Sequence, residues 1–321
     1  MTEKLIPLSH YLPNVSQLAY GCMGLGGGWN DEPVTQADVD QTIQVIETAL
    51  DSGINLFDHA DIYTFGKAEQ AFGQALTQRP ELRGKMFIQS KCGIRFEDSD
   101  GVKRYDFSAD WVTQSVENIL QRLQCGYLDI LLLHRPDPLM ELSELVPALK
   151  ALHAQGKVKF FGVSNMNAHQ IAYLQAALEM PIVVNQLEMS LEKHSFATNG
   201  IMPAQFGVEL GTLEHCMAQG IQLQSWGSLA QGRFSNPASL DSPDEKLRKT
   251  AEYVFALSAE YQVSPEAIVL AFLTRHPAGI QPVIGTTNLD RIRACSDVSR
   301  VSLSREHWYG LLERSLGHEV P

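Results

Sequence analysis

The sequence of 321 residues lacks several features of membrane and secreted proteins. No stretch approaches the roughly 18 consecutive apolar residues that a membrane span needs. The amino-terminal segment has no basic stretch followed by an apolar one, so we expect no signal peptide and no membrane association. The five cysteines are scattered and form no Cys-x-x-Cys pair, which predicts free thiols in a reducing cytoplasm.

Basic residues are also few. Lysine and arginine number 25 against 37 aspartates and glutamates, which gives a formal net charge of −12. An acidic chain repels phosphate backbones, so we expect no nucleic-acid partner, although a local basic pocket for a small anion stays possible. With 44% hydrophobic and 19% charged residues, the composition excludes disordered, collagenous and disulfide-dense proteins.

Eight short apolar runs recur along the chain and predict buried strands. They occupy residues 18–22, 54–58, 86–91, 129–134, 159–164, 182–186, 221–226 and 282–285. The run at 129–134 is the clearest, because it is apolar on both faces. Continuous apolar runs are typical of parallel strands that are covered on both sides of a sheet.

Helical patterns separate these runs. Thr35 begins one with capping chemistry, and residues from Val39 to Leu50 give it an apolar stripe. Ser108 and Ser264 begin two more, the latter with proline in its first turn. Other helices are predicted over residues 142–152, 169–178 and 212–217.

The alternation of eight strands with helices predicts a (β/α)8 TIM barrel that forms a single domain over residues 1–321. A doubly wound sheet with extra strands is the alternative. The connections 93–110 and 230–249 are long, and we expect structureless loops there, at the C-terminal face of the barrel. Such loops often act as lids or substrate loops.

Ionisable residues follow several runs at the point where a barrel carries its active site. Asp58 ends the second run, Lys91 the third and His134 the fourth. Tyr63 comes five residues after Asp58, on the loop that follows the strand. We therefore expect a carboxylate, an ammonium, an imidazole and a phenol to converge at one mouth of the barrel.

These four groups suit the protonation of a developing alkoxide. A phenol with a reference pKa of about 10 is a weak acid at neutral pH, and we expect the Lys91 ammonium to lower the pKa of Tyr63. Asp58 would keep Lys91 charged and oriented. His134 would donate a hydrogen bond to a substrate oxygen.

Three motifs give the chain a family resemblance. Residues 53–63 (GINLFDHADIY), 131–136 (LLLHRP) and 162–165 (GVSN) resemble the signatures of aldo-keto reductases, in the branch that includes bacterial and potassium-channel-β-like members. The likeness extends from about Leu18 to Arg293. It implies a (β/α)8 barrel that binds NADP(H) without a Rossmann domain. Consistently, the glycine-rich stretch 24–28 does not fit Gly-x-Gly-x-x-Gly before a helix.

The resemblance implies that the protein is an enzyme that reduces an aldehyde or ketone with NADP(H). Tyr63 would be the proton donor, and Asp58, Lys91 and His134 would complete a catalytic tetrad. Ser164, Asn165 and Gln186 match positions that bind the nicotinamide carboxamide. Trp226 matches a position whose aromatic side chain stacks on the nicotinamide ring, and Arg291 matches a position that binds the 2′-phosphate. The whole implied cofactor set is Gly21, Cys22, Met23, Asp58, Ser164, Asn165, Gln186, Trp226, Gly227, Ser228, Leu229, Gly232, Gly285, Thr286, Thr287, Asn288 and Arg291.

Candidate walls of the substrate pocket are Trp29, His59, Phe65 and Trp111. The expected partner is a small carbonyl compound, and no pattern indicates an oligomeric state. No His-x-His pair or Cys/His cluster has the spacing of a zinc site, so we expect no metal.

Other interpretations stay open at this point. The chain could be a regulatory module that binds the cofactor but turns over slowly, or a metal-dependent barrel hydrolase that uses Asp58 and His134. Asp58 and Lys91 could form a purely structural ion pair. Trp226 could serve packing alone, and Arg293 could replace Arg291 as the phosphate ligand.

Overall fold

Eight parallel strands form a closed barrel in the computed structural model, which describes residues 5–198 and 210–321. The barrel strands are β1 (Ala19–Gly21), β2 (Leu56–Asp58), β3 (Phe87–Cys92), β6 (Leu128–Leu133), β7 (Val158–Ser164), β8 (Ile182–Glu188), β9 (Gln222–Trp226) and β10 (Gln281–Ile284), and β4 (Ile94–Arg95) and β5 (Arg104–Tyr105) form a separate hairpin. The order around the barrel is β1-β10-β9-β8-β7-β6-β3-β2. Pairing of β1 with both β2 and β10 closes the sheet, which confirms the predicted barrel and excludes the doubly wound alternative.

Helices surround the barrel. Their bounds are α1 (Gln36–Asp51), α2 (Lys67–Gln78), α3 (Ala109–Leu123), α4 (Leu142–Ala154), α5 (Ala168–Leu178), α6 (Ser195–Thr198), α7 (Thr212–Gln219), α8 (Glu245–Tyr261), α9 (Pro265–Thr274), α10 (Leu289–Ser296) and α11 (Arg305–Leu316). The predicted caps are present: Thr35 and Asp38 form a capping box on α1, and Ser108 and Ser264 cap α3 and α9.

The strands are covered on both sides, which explains their continuous apolar sequences. All six residues of β6 are buried. Leu131 and Leu133 belong to the core between strands and helices, whereas Ile130 and Leu132 belong to a second core inside the barrel. Leu8, from the segment before β1, belongs to this inner core, and its main-chain N–H donates to Gln222 at the start of β9. The amino-terminal segment therefore closes the end of the barrel opposite the carboxyl ends of the strands.

The two long connections differ from expectation. Residues 93–110 contain the β4–β5 hairpin, in which Arg95 pairs with Asp98, Asp100 and Asp106. Residues 230–249 contain two short 3-10 turns, and α8 already begins at Glu245. The expectation of structureless loops is wrong in both places, because ion pairs and backbone turns order them. Both segments follow carboxyl ends of strands and so lie at the face that was predicted.

Within the described ranges, no helix combines the length and the hydropathy needed to cross a membrane. Residues 1–4, on which the signal-peptide expectation partly depends, lie outside those ranges.

Candidate active site

The four ionisable side chains predicted from the strand ends meet at the carboxyl end of the barrel. Lys91 Nζ on β3 lies 2.7 Å from Asp58 Oδ2 on β2 and 3.0 Å from Tyr63 Oη. It also donates to the main-chain oxygen of His59 at 2.9 Å. The rings of Tyr63 and His134 are edge to face, with centroids 6.1 Å apart. An ammonium with three oxygen partners thus holds the phenol next to the imidazole.

Burial and neighbouring charges together determine the protonation states in this cluster. Burial lowers the pKa of Lys91, but Asp58 and Tyr63 together raise it by more, so the net pKa lies above the usual value and Lys91 is charged. Burial and the cations Lys91 and Arg135 lower the pKa of His134 well below its usual value, which leaves a neutral imidazole.

The pKa of Tyr63 corrects one expectation. Lys91 does act to lower it, as predicted, but burial acts the other way and is the larger effect, so the pKa of Tyr63 is raised. Tyr63 is therefore a protonated phenol at neutral pH.

The backbone after Tyr63 is unusual. Thr64, Phe65 and Gly66 have φ angles of 47°, 58° and 85°, three consecutive residues in the left-handed region. Residues other than glycine adopt this conformation at a cost of about 1–2 kcal/mol each. Asn165, Ala230 and Gln231, close to the same mouth, also have positive φ. Backbone strain of this kind concentrates at functional sites.

A cavity of about 650 Å³ opens at the same end of the barrel. The predicted residues that line it are Gly21, Met23, Asp58, Tyr63, His134, Ser164, Asn165, Gln186, Trp226, Gly227, Ser228, Leu229, Gly232, Gly285, Thr286, Thr287 and Arg291. Two predicted cofactor residues, Cys22 and Asn288, are absent from the lining: Cys22 is fully buried, and Asn288 caps α10.

One end of the cavity carries amides and an aromatic ring. Trp226 Nε1 donates to Asn165 Oδ1 at 3.2 Å, and Asn165 Nδ2 donates to Ser164 Oγ at 2.7 Å. Ser164 in turn donates to the main-chain oxygen of Gln186 at 2.9 Å. Since each of these side chains is tied to the next, the polar groups at this end are fixed in orientation.

Arg291 also lines the cavity. Its Nε donates to Glu266 Oε1 at 3.2 Å, and its side chain is 39% exposed. A Cβ atom on Gly232 would lie 2.8 Å from Arg291 Nη2, so glycine at this position leaves room for the guanidinium. Arg293 pairs instead with Asp290 and does not line the cavity, which favours Arg291 as an anion ligand.

The four candidate substrate residues lie outside the cavity lining. Trp29 and Phe65 are about half exposed and pack edge to face, with centroids 5.3 Å apart. Trp111 packs under the Arg95 guanidinium at 4.3 Å. His59 is fully buried against Phe72, and burial lowers its pKa to about 3. Trp29 and Phe65 are thus accessible from solvent, whereas the ring of His59 is not.

The sequence interpretation missed other residues at the site. Arg135 and Gln231 line the cavity, and the Arg135 guanidinium lies 5.5 Å from the centre of the Trp226 ring. Arg135 directly follows His134 in the 131–136 motif, so its position at a strand end was a usable signal. Among the residues that the structure describes, no group of three or more His, Cys, Asp or Glu side chains is arranged to hold a metal ion.

Comparison with known proteins gives the family. The sequence pattern of the aldo/keto reductase family matches residues 17–311. The chain belongs to this family. The resemblance found in the motifs is therefore confirmed: the protein is an oxidoreductase of a family that uses NADP(H).

Curated relatives cover nearly the whole chain. A 6-dehydroglucose reductase of Agrobacterium fabrum is 36% identical over 310 residues, which is 95% of this chain and 96% of the relative. Oxidoreductase YdhF of Escherichia coli is 34% identical over 283 residues, 88% of this chain and 89% of the relative.

Solved structures agree with the fold. The thermostable aldo-keto reductase Tm1743 superposes with a TM-score of 0.73 at 22% identity, covering 94% of this chain and 95% of that protein. An aldo/keto reductase from Klebsiella pneumoniae, solved with NADP and acetate, gives a TM-score of 0.69 at 21% identity, with 94% and 91% covered.

Proposed function

We propose that this protein reduces an aldehyde or ketone to an alcohol with NADPH, and that Tyr63 supplies the proton. The observation that carries the proposal is the contact of Lys91 Nζ with both Asp58 and Tyr63 at the wall of the cavity. A partly buried phenol that is held by an ammonium and lines the cavity is a proton donor within reach of a substrate oxygen.

Each residue of the cluster has a separate task. NADPH, when bound, supplies the hydride to the carbonyl carbon. Tyr63 donates its proton to the oxygen, and the Lys91 ammonium 3.0 Å away stabilises the phenolate that this leaves. Asp58 balances the charge of Lys91 and fixes its position. The protonated state of Tyr63 before reaction follows from its raised pKa.

His134 is suited to orient the substrate. Its imidazole is neutral and lines the cavity beside Tyr63. A neutral imidazole has one N–H donor, which can hold a carbonyl oxygen without competing with Tyr63 as the acid. In this proposal the carbonyl oxygen binds between the rings of Tyr63 and His134.

The cavity fits NADP(H). Its lining offers Ser164, Asn165 and Gln186 to the carboxamide and Trp226 to the nicotinamide ring. It also offers Arg291 and Thr286 to a 2′-phosphate. A guanidinium matches a phosphate in charge and in geometry. Gly232 belongs to the same binding site, because a Cβ atom at this position would displace the Arg291 side chain.

Trp29 and Phe65 supply an exposed aromatic wall for a small organic substrate. Two of the relatives are named 6-dehydroglucose reductase, so an aldehyde sugar belongs among the substrates to be tested. We also propose that residues 1–321 form one domain, which the single barrel supports, and that the protein acts in the cytoplasm, which its five free cysteines support.

The test is steady-state oxidation of NADPH by the purified protein with a panel of aldehydes and ketones, 6-dehydroglucose included. We expect turnover with at least one compound. Tight NADPH binding without turnover on any of them would instead support the regulatory module. Loss of activity after chelation, restored by a divalent metal, would support the metal-dependent alternative.

A further inference from the structure

Glutamine side chains occupy the barrel interior beneath the site, where branched aliphatic residues are usual. Gln89, Gln186, Gln224 and Gln281 come from four different strands and are at most 2% exposed. Strands β3 and β9 lie on opposite walls of the barrel, so Gln89 and Gln224 meet only across its interior. A buried amide lowers the stability of a protein unless it is hydrogen-bonded, so we expect these four side chains to have partners.

The amides form a continuous chain. Gln89 Nε2 donates to Asp58 Oδ1 at 2.6 Å, and Gln89 and Gln224 exchange two hydrogen bonds of 2.9 and 3.2 Å. Gln186 Nε2 donates to Gln224 Oε1 at 3.0 Å. Gln224 Nε2 donates to Gln281 Oε1 at 2.9 Å, and Gln281 Nε2 donates to the main-chain oxygen of Ser16 at 2.6 Å.

The groups at the two ends of this amide chain determine the direction of its hydrogen bonds. Both the Asp58 carboxylate and the Ser16 carbonyl can only accept hydrogen bonds. The Asp58 carboxylate, paired with Lys91, requires Gln89 to present its NH2, which leaves Gln89 Oε1 to accept from Gln224. The Ser16 carbonyl requires the same of Gln281, whose Oε1 then also accepts from Gln224.

Both N–H groups of Gln224 are thereby used, and its oxygen faces Gln186. The NH2 of Gln186 must therefore point inward. Its Oε1, on the side chain that lines the cavity, has no donor among the described residues. Asn165 Oδ1 already accepts one hydrogen bond from Trp226, whereas Gln186 Oε1 is a side-chain acceptor at the cavity that no described residue occupies.

We propose that Gln89, Gln224 and Gln281 are positioning residues that hold the Gln186 amide with its oxygen toward the cavity, where it accepts an N–H of the nicotinamide carboxamide. The inference rests on the proposed function, since it requires NADP(H) in this cavity. It makes the site selective for a carboxamide, and it links the Asp58 carboxylate to the nicotinamide end through two amides.

The test compares NADP+ with its 3-acetylpyridine analogue, in which the carboxamide NH2 is replaced by a methyl group. Dissociation constants are measured by calorimetry for both, and for adenosine 2′,5′-bisphosphate, which lacks the nicotinamide. We expect the wild-type protein to prefer NADP+. In Gln224→Met this preference should fall roughly fivefold, the effect of losing one hydrogen bond, while the affinity for the bisphosphate is unchanged.

Two further variants separate orientation from stability. Gln224→Glu keeps an acceptor for Gln186 and should keep the preference. Gln222→Met is the matched control: Gln222 is on the same strand and fully buried, but it bonds to the main chain of Leu8, Leu223 and Gly279 instead of to the amide chain. It should also keep the preference, whatever its effect on thermal stability.

Three results would overturn the inference: equal wild-type affinity for the two dinucleotides, an unchanged preference in Gln224→Met, or an equal loss in Gln222→Met. If Gln224→Met does not fold, the inference is still overturned by equal wild-type affinities or by loss of the preference in Gln224→Glu, which keeps an acceptor for Gln186. Absence of any binding of NADP+ to the wild-type protein would instead refute the proposed function, and the inference with it.

Discussion

The Tyr63 hydroxyl is the acid of the proposed reaction and lies 3.0 Å from Lys91 Nζ. Tyr63→Phe removes only that oxygen, so we expect kcat to fall by at least about a hundredfold, the usual effect of losing a general acid. The affinity for NADPH, measured by fluorescence titration, should stay unchanged. Turnover at the wild-type rate would remove Tyr63 from this role.

Arg291 can be tested against its neighbour Arg293. Arg291→Ala should weaken the binding of NADPH by about tenfold to a hundredfold, as expected for the loss of a charge-assisted hydrogen bond. It should leave the binding of NADH nearly unchanged, because NADH has no 2′-phosphate. Arg293→Ala is the control, since Arg293 pairs with Asp290 and lies outside the cavity lining. An equal loss for the two dinucleotides, or an equal effect of the two variants, contradicts the assignment.

At the scale of single residues, the sequence predicted the positions of side chains that lie at strand ends. Asp58, Lys91 and His134 were placed by the ends of apolar runs, and the structure brings them together with Tyr63. The direction in which the pKa of Tyr63 shifts was not predictable, because it depends on how far the side chain is buried. Nor were the glutamine contacts, although two glutamines at alternate positions of β9, Gln222 and Gln224, were a visible departure from an apolar strand.

Among the elements, the turn after β9 gives a separate test. Gly232 has a φ of 81°, and a Cβ there would lie 2.8 Å from Arg291 Nη2. Gly232→Ala should therefore displace the guanidinium and weaken NADPH binding several-fold, besides costing about 1–2 kcal/mol of stability. Titration with NADPH and thermal unfolding measure the two effects.

The control for this variant is Gly220→Ala. Gly220 ends α7 with a φ of 66° and has open space where a Cβ would be. The Gly220→Ala protein should lose about as much stability as Gly232→Ala but should keep its affinity for NADPH. If both variants lose affinity alike, general destabilisation is the cause and the steric argument fails.

Helices and strands differed in how far the sequence predicted them. The capped helices α1, α3 and α9 were found from Thr35, Ser108 and Ser264. Helix α2 was missed because it begins after a left-handed Gly66 without a side-chain cap. Helix α10 was missed because its cap, Asn288, was interpreted as a cofactor ligand. The β4–β5 hairpin depends on the ion pairs of Arg95, which no periodicity reveals.

For the whole molecule, buried titratable groups determine how stability varies with pH. Burial and the nearby Glu69 raise the pKa of Asp61 to about 8, against about 3.9 in an unfolded chain. The stability due to this protonated group is complete below about pH 4 and is lost as the pH rises through about 8, since the unfolded chain has by then released its proton.

Asp61→Asn does not titrate. Its thermal unfolding temperature should therefore rise relative to the wild-type value as the pH increases from about 5 to about 9. A series of calorimetric scans across this range measures the difference between the two proteins. A difference that stays constant with pH would show that Asp61 is already ionised in the folded protein.

The amide pair between opposite walls has a consequence for how the protein acquires activity. Gln89 and Gln224 bond only when the sheet has closed in its native register, and a slip of one residue would turn their side chains toward the helices. A misassembled barrel would thus leave the Asp58 carboxylate without its second donor and Gln186 without its anchor. We therefore expect the dinucleotide site to form only when the sheet closes correctly, and incorrectly folded molecules to be inactive rather than partly active.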